Sequence, residues 1–163
     1  MKRLLFCIVV ALLIPCAAKA KVSVSITAAE GWPVLFADSG DAKHLASTTR
    51  IGVAVGIPVA DGMTLVIKPR VILGHGELKP QPGLILGLGF KISDRLSWSV
   101  GALYQMILPY GSGKVRHTCT LGTGPVVKLS DHISYLPSVF AGRSFDQGWV
   151  AGVVPIELAF RVF

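Results

Sequence analysis

The sequence is poor in charge, in cysteine and in hydrophobic runs long enough to cross a bilayer as a helix. Charged residues make up 15% of the 163 positions although 52% are hydrophobic, whereas an ordinary soluble domain carries ~25% charge. The longest apolar run, LLFCIVVALLIP at residues 4–15, falls short of the ~20 residues a spanning helix needs. Sustained helical periodicity is missing too, which argues against bundles and α/β folds. The three cysteines are Cys7, Cys16 and Cys119. No His-x-x-x-His or comparable ligand spacing occurs, so no metal site is expected, and no cofactor motif appears.

The N-terminus stands apart from the rest of the chain. Lys2 and Arg3 precede the apolar run, and CAAKA closes it. A positive n-region, a short h-region and a small-x-small site mark a secretory signal peptide. Ala18-Lys19-Ala20 fits the cleavage rule, giving a leader at 1–20 and a mature domain at 21–163. The loose lipobox Leu13-Ile14-Pro15-Cys16 has proline where a small residue is required. Cleavage after Ala20 leaves Cys119 alone, so no disulfide framework exists. It also removes three of 16 basic residues, leaving 13 against 9 acidic ones and a net +4 in place of +7. That mild, scattered charge, on an exported chain, argues against nucleic acid as a partner.

What remains is β-like. Eight runs rich in Val, Ile, Leu and Thr occupy approximately 22–29, 50–59, 63–73, 84–92, 96–107, 117–129, 133–142 and 149–163. Gly, Pro, Asp and Ser separate them. Most are longer than soluble strands and near the ~9–11 residues of membrane-spanning ones. One short phrase recurs: FKISDRLSW at 90–98, VKLSDHISY at 127–135 and, more faintly, IPVADGMTL at 57–65. Each is a strand end, an Asp-centred tight turn and a strand start, with the Asp side chain expected to accept nearby backbone amides. Longer links, 30–49, 74–83, 108–116 and 143–148, alternate with these turns. Three turns at one end and four loops at the other describe an eight-stranded up-and-down meander that closes into a barrel.

Alternation predicts which face is which. Leu84, Leu86, Leu88, Phe90 and Ile92 share one face of their run, opposite Ile85, Gly87, Gly89 and Lys91. Ile51, Val53, Val55 and Ile57 stand opposite Gly52, Ala54, Gly56 and Pro58, and Trp98, Val100 and Tyr104 opposite Ser97, Ser99 and Leu103. An unbroken greasy face against a small, polar one suits a barrel with lipid outside and a crowded lumen within. A soluble lipocalin-like barrel carrying an apolar ligand would turn the same faces the other way.

With its leader, eight amphipathic runs, short turns against longer loops and terminal Phe163, the chain from Lys21 onward resembles the small outer-membrane barrels of the OmpX/Ail-like and OmpA transmembrane-domain kind. The resemblance implies an all-β transmembrane barrel in the cell outer membrane, with Phe163 as part of the signal read by the barrel assembly machinery. It also implies lipids and lipopolysaccharide as surroundings, and a structural role or loop-borne binding to host or envelope proteins. Arg161, Ala159 and Glu157 sit in phase with Phe163, where the family has apolar residues, so a bulge or a frayed last residue is expected near the C-terminus. Pro69, Pro137 and Pro155 fall inside strands and point to bulges as well.

Within this frame Lys68, Arg70, Lys91, Lys128, Glu157 and Arg161 are predicted to face the lumen. Glu157 is expected to bridge Lys68 or Arg70, while Lys91, Lys128 and Arg161 reach water at the turn end. The set reads as a structural salt-bridge plug, with an anion-binding interior as the alternative. Phe90, Trp98, Tyr135 and Phe160 are placed as an aromatic girdle at the turn end. No catalytic residue is assigned. The enzymatic alternative, lipid A modification, rests on His75, Glu77 and Ser112 in the loops, since His132-Ile133-Ser134 lies at the turn end. His44, His75 and His117, with Asp38 and Asp41, read as solvated loop residues. Cys119 reads as a small apolar group on the lipid face. Trp32, Val34, Leu35 and Phe36 are expected to cover the barrel mouth from the first loop, with contact to lipopolysaccharide or a partner as the alternative.

Overall fold

The computed structural model describes residues 22–36, 42–44, 47–74, 80–108, 115–145 and 148–163. Residues 1–20, where a leader is expected, lie outside the described residues together with Cys7 and Cys16. Ten strands follow in order: β1 (Ser23–Phe36), β2 (Ala42–His44), β3 (Thr48–Ala60), β4 (Met63–Gly74), β5 (Gln81–Lys91), β6 (Leu96–Ile107), β7 (Arg116–Lys128), β8 (Ile133–Tyr135), β9 (Ser138–Ser144) and β10 (Gly148–Arg161). Pairing is antiparallel throughout, and β10 returns to β1 from Ser25↔Arg161 to Phe36↔Trp149. The ladder continues past the last strand, with Val162 N–H donating to Val24 O at 2.8 Å and Val24 N–H to Phe163 O at 3.2 Å. β8 and β9 are halves of one stave, and β2 extends the first hairpin beyond the barrel. The fold is therefore a closed eight-stranded up-and-down transmembrane barrel. Closure leaves no free edge, the condition for a sheet in hydrocarbon.

Burial is inverted relative to a soluble protein. Leu86, Val100, Leu121, Val139 and Ile156 are exposed on the outer surface, while Arg50, Lys68, Arg70 and Glu157 are buried. The soluble lipocalin-like alternative needs the opposite arrangement and is excluded by this one. Along β5 the exposed Leu84, Leu86 and Leu88 alternate with more covered Ile85, Gly87 and Gly89, as period two dictates.

The prolines act in two ways. Val154 faces Ser138 whereas Leu158 faces Tyr135, so four steps along β10 answer three along β9 and β8. On the other side Ile156 faces Glu30 and Val153 faces Trp32, three steps against two. Both neighbours thus see one extra residue at Pro155, a β-bulge. The bulge switches the phase of β10. Trp149 and Val153 point outward before it, Ile156 and Phe160 after it, and Glu157 is turned into the lumen. Pro69 and Pro137, by contrast, are not bulges. The β3–β4 register is the same at Gly52↔Arg70 and Val55↔Ile67. The β7 register is the same at Thr123↔Val139 and Val127↔Tyr135, which sets Pro125 opposite Pro137. Neither of those prolines has an N–H to give, so the ladder opens there without slipping.

The first long link also differs from expectation. Residues 30–36 are strand, not loop, because period two continues through them and β10 supplies partners up to Trp149. Trp32 stands 55% exposed on the outer face, so it does not cover the mouth. Leu35 and Phe36 side chains lie outside what is described.

The repeated phrase is a repeated turn, but its acceptor is serine rather than aspartate. Ser93 Oγ accepts the amides of Arg95 and Leu96, and Ser130 Oγ accepts those of His132 and Ile133. Asp94 and Asp131 instead bind Lys91 and Lys128, both at 2.7 Å. Those lysine hydrogen bonds hold the two carboxyls below their ordinary value. The faint third copy turns at Gly62, whose φ of 70° a side-chain-bearing residue adopts reluctantly.

Close approach of β7 and β9 depends on Gly142. A Cβ there would stand 2.1 Å from the Cys119 carbonyl oxygen and 2.4 Å from Thr120 Cα, all backbone. At Gly89 the nearest atoms would be at 3.8 Å. Gly142→Ala is expected to destabilise the refolded barrel by ~1–3 kcal/mol in urea unfolding followed by tryptophan fluorescence, with Gly89→Ala near wild type. Equal midpoints for the two variants would contradict the packing described.

Candidate functional site

The chemistry of the barrel lies in its lumen. The inward positions of β3, β4 and β10 carry Arg50, Lys68, Arg70 and Glu157, and glycines on neighbouring strands make room for the long side chains. A Cβ on Gly31 would come within 2.5 Å of the Arg50 guanidinium, and one on Gly52 within 2.8 Å of Arg70 Cβ. Lys68 Nζ and Glu157 Oε1 form a salt bridge, with the residues only 7% and 5% exposed. β1 and β3 lie between their strands, so the pair crosses the lumen and ties the two sides of the barrel together. Arg50 also reaches across. Its Cζ stands 5.0 Å from the centre of the Phe140 ring, and its Nε donates to Thr48 Oγ1 at 3.1 Å. A cation over an aromatic face is stabilised by the ring quadrupole, more so when desolvated. Toward the loop end Gln105 donates to Gln81.

A cavity of about 330 Å³ occupies the lumen below these groups, lined by Lys68, Arg70 and Glu157 at its head and by Ser25, Thr64 and Ser99 along its walls. Hydroxyls and glycines fill most inward positions there, leaving the space a larger set of side chains would take.

The other residues singled out in the sequence are placed as follows. Lys91 and Lys128 are exposed at the turn end in the Asp pairs already described, and Arg161 is exposed there with its Nε donating to Phe163 O at 3.0 Å. Phe90, Trp98 and Phe160 are exposed on the outer face near the turns, and Phe90 is paired with Trp98 across β5 and β6. Trp98 Nε1 donates to Thr123 Oγ1 at 2.7 Å, and Tyr135 Oη donates to Pro155 O at 2.6 Å. Each polar tip therefore has a protein partner on a surface facing lipid. Phe163 is 76% exposed. Cys119 is exposed on the outer face.

A second set of aromatics, Trp32, Tyr104 and Trp149, lies on the outer face toward the loop end. Tyr104 Oη meets His117 Nδ1 at 2.6 Å with the rings stacked, so His117 is a partner of the wall rather than a solvated loop residue. Trp149 and Phe160 stand eleven positions apart on β10. The bulge at Pro155 makes that ten ladder steps, which at ~3.3 Å per residue and a tilt of ~40° is ~25 Å, the height of the apolar band of outer-membrane barrels. This upper set was not identified from sequence, although period two from Trp98 to Tyr104 carried the signal. Arg50 was missed too, although period two places it on the same face as Gly52, Ala54 and Gly56. His75, Glu77, Ser112, Asp38 and Asp41 lie outside the described residues, as does the side chain of His44. Among the described residues no group of three His, Cys, Asp or Glu could hold a metal ion.

No family model matches the chain, and no curated protein matches it. Solved structures do. Ail, the attachment invasion locus protein of Yersinia pestis, is 11% identical with a TM-score of 0.59, over 85% of this chain and 97% of that one. Neisserial surface protein A is 10% identical at a TM-score of 0.55, over 85% and 97%. The N-terminal β-barrel domain of Pseudomonas aeruginosa OprF is 17% identical at 0.52, over 85% and 96%. A second Ail structure, in complex with the heparin analogue sucrose octasulfate, is similar at 12% identity and a TM-score of 0.55. Such low identities establish a shared fold, that of the small eight-stranded membrane barrels.

The transluminal ion pair generates a direct expectation. Glu157→Gln is expected to cost about 3 kcal/mol of unfolding free energy, because it leaves the buried Lys68 ammonium without its partner, and Lys68→Met is expected to cost less, because Arg50 and Arg70 still act on Glu157. The double variant is expected to recover a measurable part of that loss. Additive single and double effects in urea unfolding would show that the pair is not coupled.

Proposed function

We propose that the protein is a non-catalytic integral barrel of the outer membrane, with a structural or surface-interaction role, and that the leader at 1–20 exports it. The observation that supports this best is the inverted burial, with Leu86, Val100 and Leu121 facing out and Arg50, Lys68 and Glu157 facing in, since only a lipid surrounding rewards that arrangement. In this reading the serine turns and both termini face the periplasm, Phe163 contributes to recognition by the barrel assembly machinery, and the turn-end aromatics sit in the inner interface. Lipopolysaccharide surrounds the upper wall at Trp32, Tyr104 and Trp149, and the loops meet host or envelope proteins. The similar fold of Ail, solved with a heparin analogue, is consistent with binding at the loop end. The ion pair across the lumen gives no support to a porin function, because eight strands leave only a narrow interior.

An epitope inserted within residues 109–114 is expected to be labelled on intact cells, and one inserted between Ser93 and Arg95 only after permeabilisation. The reverse pattern would overturn the orientation. Single replacement of His75, Glu77 and Ser112 by alanine is expected to leave lipid A acylation unchanged. Loss of acylation in any one of them would replace this reading with the lipid A-modifying enzyme.

A further inference from the structure

The described lumen holds more positive charge than it neutralises. Arg50, Lys68 and Arg70 are buried beside a single buried carboxylate, Glu157, which Lys68 engages. Glu157 acts electrostatically on both arginines as well, and Glu30 acts on Arg50, but these two carboxylates do not balance three cations. Buried ions require pairing or solvation, so the excess calls for an anion.

Polar groups without partners among the described residues also line the inner wall. Arg70 Nε, Thr118 Oγ1, Thr120 Oγ1 and Ser144 Oγ are buried and have no hydrogen-bond partner among the described residues. The strand registers relate their positions. Arg70 faces Gly83, Gly83 faces Gln105, Gln105 faces Thr118 and Thr118 faces Ser144, one continuous rung around the wall. Thr120 lies one inward position below. Arg70 itself is only 8% exposed, and it lines the cavity together with Lys68 and Thr120. The cavity, about 330 Å³, extends toward the turn end past Ser97 and Ser134. That volume exceeds what a tetrahedral oxyanion needs, and its hydroxyl walls offer a polar path inward.

We propose that the lumen is a binding site for a small inorganic oxyanion of the sulfate or phosphate class, entering from the turn end and held by Arg70, Lys68 and Arg50 with the Thr120 hydroxyl. A guanidinium Nε and a hydroxyl without partners among the described residues suit such an ion, which presents acceptor oxygens on every side. Walls closed by the barrel favour the free ion over a lipid headgroup, whose acyl chains would have to enter the lumen.

The test is equilibrium dialysis of radiolabelled sulfate against the full folded protein in non-ionic detergent, with chloride keeping the ionic strength constant. One sulfate per barrel is expected, with binding weakened about tenfold or more in Arg70→Gln, as loss of a charge-assisted contact implies. Thr120→Val removes a hydroxyl that has no partner among the described residues, so this variant is expected to fold as wild type does and to bind several-fold more weakly. It carries the test if Arg70→Gln fails to fold. Arg95→Gln, a change in an exposed turn, is expected to bind as wild type. Free inorganic phosphate is expected to displace the label, and anionic phospholipid added to the micelles is not. Absence of stoichiometric binding would overturn the proposal, for instance because Asp38, Asp41 or Glu77 neutralises the arginines. Undiminished binding in Arg70→Gln and Thr120→Val would overturn it too, by placing sulfate on the surface. Displacement by lipid alone would assign the site to a headgroup and overturn the free-ion source.

Discussion

Closure of the sheet through β1 and β10 is the constraint on which the rest of the structure depends. A backbone N–H or C=O left open in hydrocarbon costs several kcal/mol, and a sheet avoids that cost only by having no edge. The seam runs from Ser25↔Arg161 to Phe36↔Trp149 and is extended at the turn end by the bonds between Val24 and the last two residues. Once the sheet is closed, period two sends alternate residues to lipid and to a narrow lumen. The composition of every strand then follows, with large aliphatic groups outside and Gly, Ser and Thr inside. Prolines that would ruin a central strand are tolerated because their effects are local. Pro125 and Pro137 coincide in one opening of the ladder, and Pro155 sits at the bulge.

That bulge links the seam to the lumen. Without the extra residue, the phase that puts Trp149 and Val153 on the lipid face would put Glu157 there as well. With it, Ile156 and Phe160 stay outside while Glu157 turns inward to Lys68. A single backbone irregularity thus keeps both halves of β10 compatible with lipid and supplies the carboxylate that the interior cations need. The glycines opposite Arg50 and Arg70 complete the arrangement by giving the guanidinium groups space that any side chain would fill.

Most of the architecture was legible in the sequence because its signals are periodic. Eight runs, three similar turns and a continuous greasy face specify a barrel and its sidedness, and the paired phrases at 90–98 and 127–135 fold into the same turn. Aperiodic features were harder to read. The first hairpin continues as strand through Trp32 because β10 provides partners, information a single run does not contain. The turns use serine as acceptor and leave aspartate to lysine, a choice between neighbouring side chains that spacing alone cannot make. Whether a strand proline bulges or merely opens the ladder depends on the register on both sides. Arg50 was legible by period two from Gly52 and Ala54 but was overlooked, and the transluminal pairing of Lys68 with Glu157 became specific only once the barrel fixed which strands face each other.

The central claim is that the apolar face meets lipid around a closed barrel. Expression of the full chain, isolation of outer membranes and electrophoresis in SDS with and without boiling test it most directly. The account predicts that the protein stays with the membrane and that its mobility shifts on heating, as a detergent-resistant closed barrel opens. Recovery in the soluble fraction after osmotic shock, with no heat-dependent shift, would contradict it.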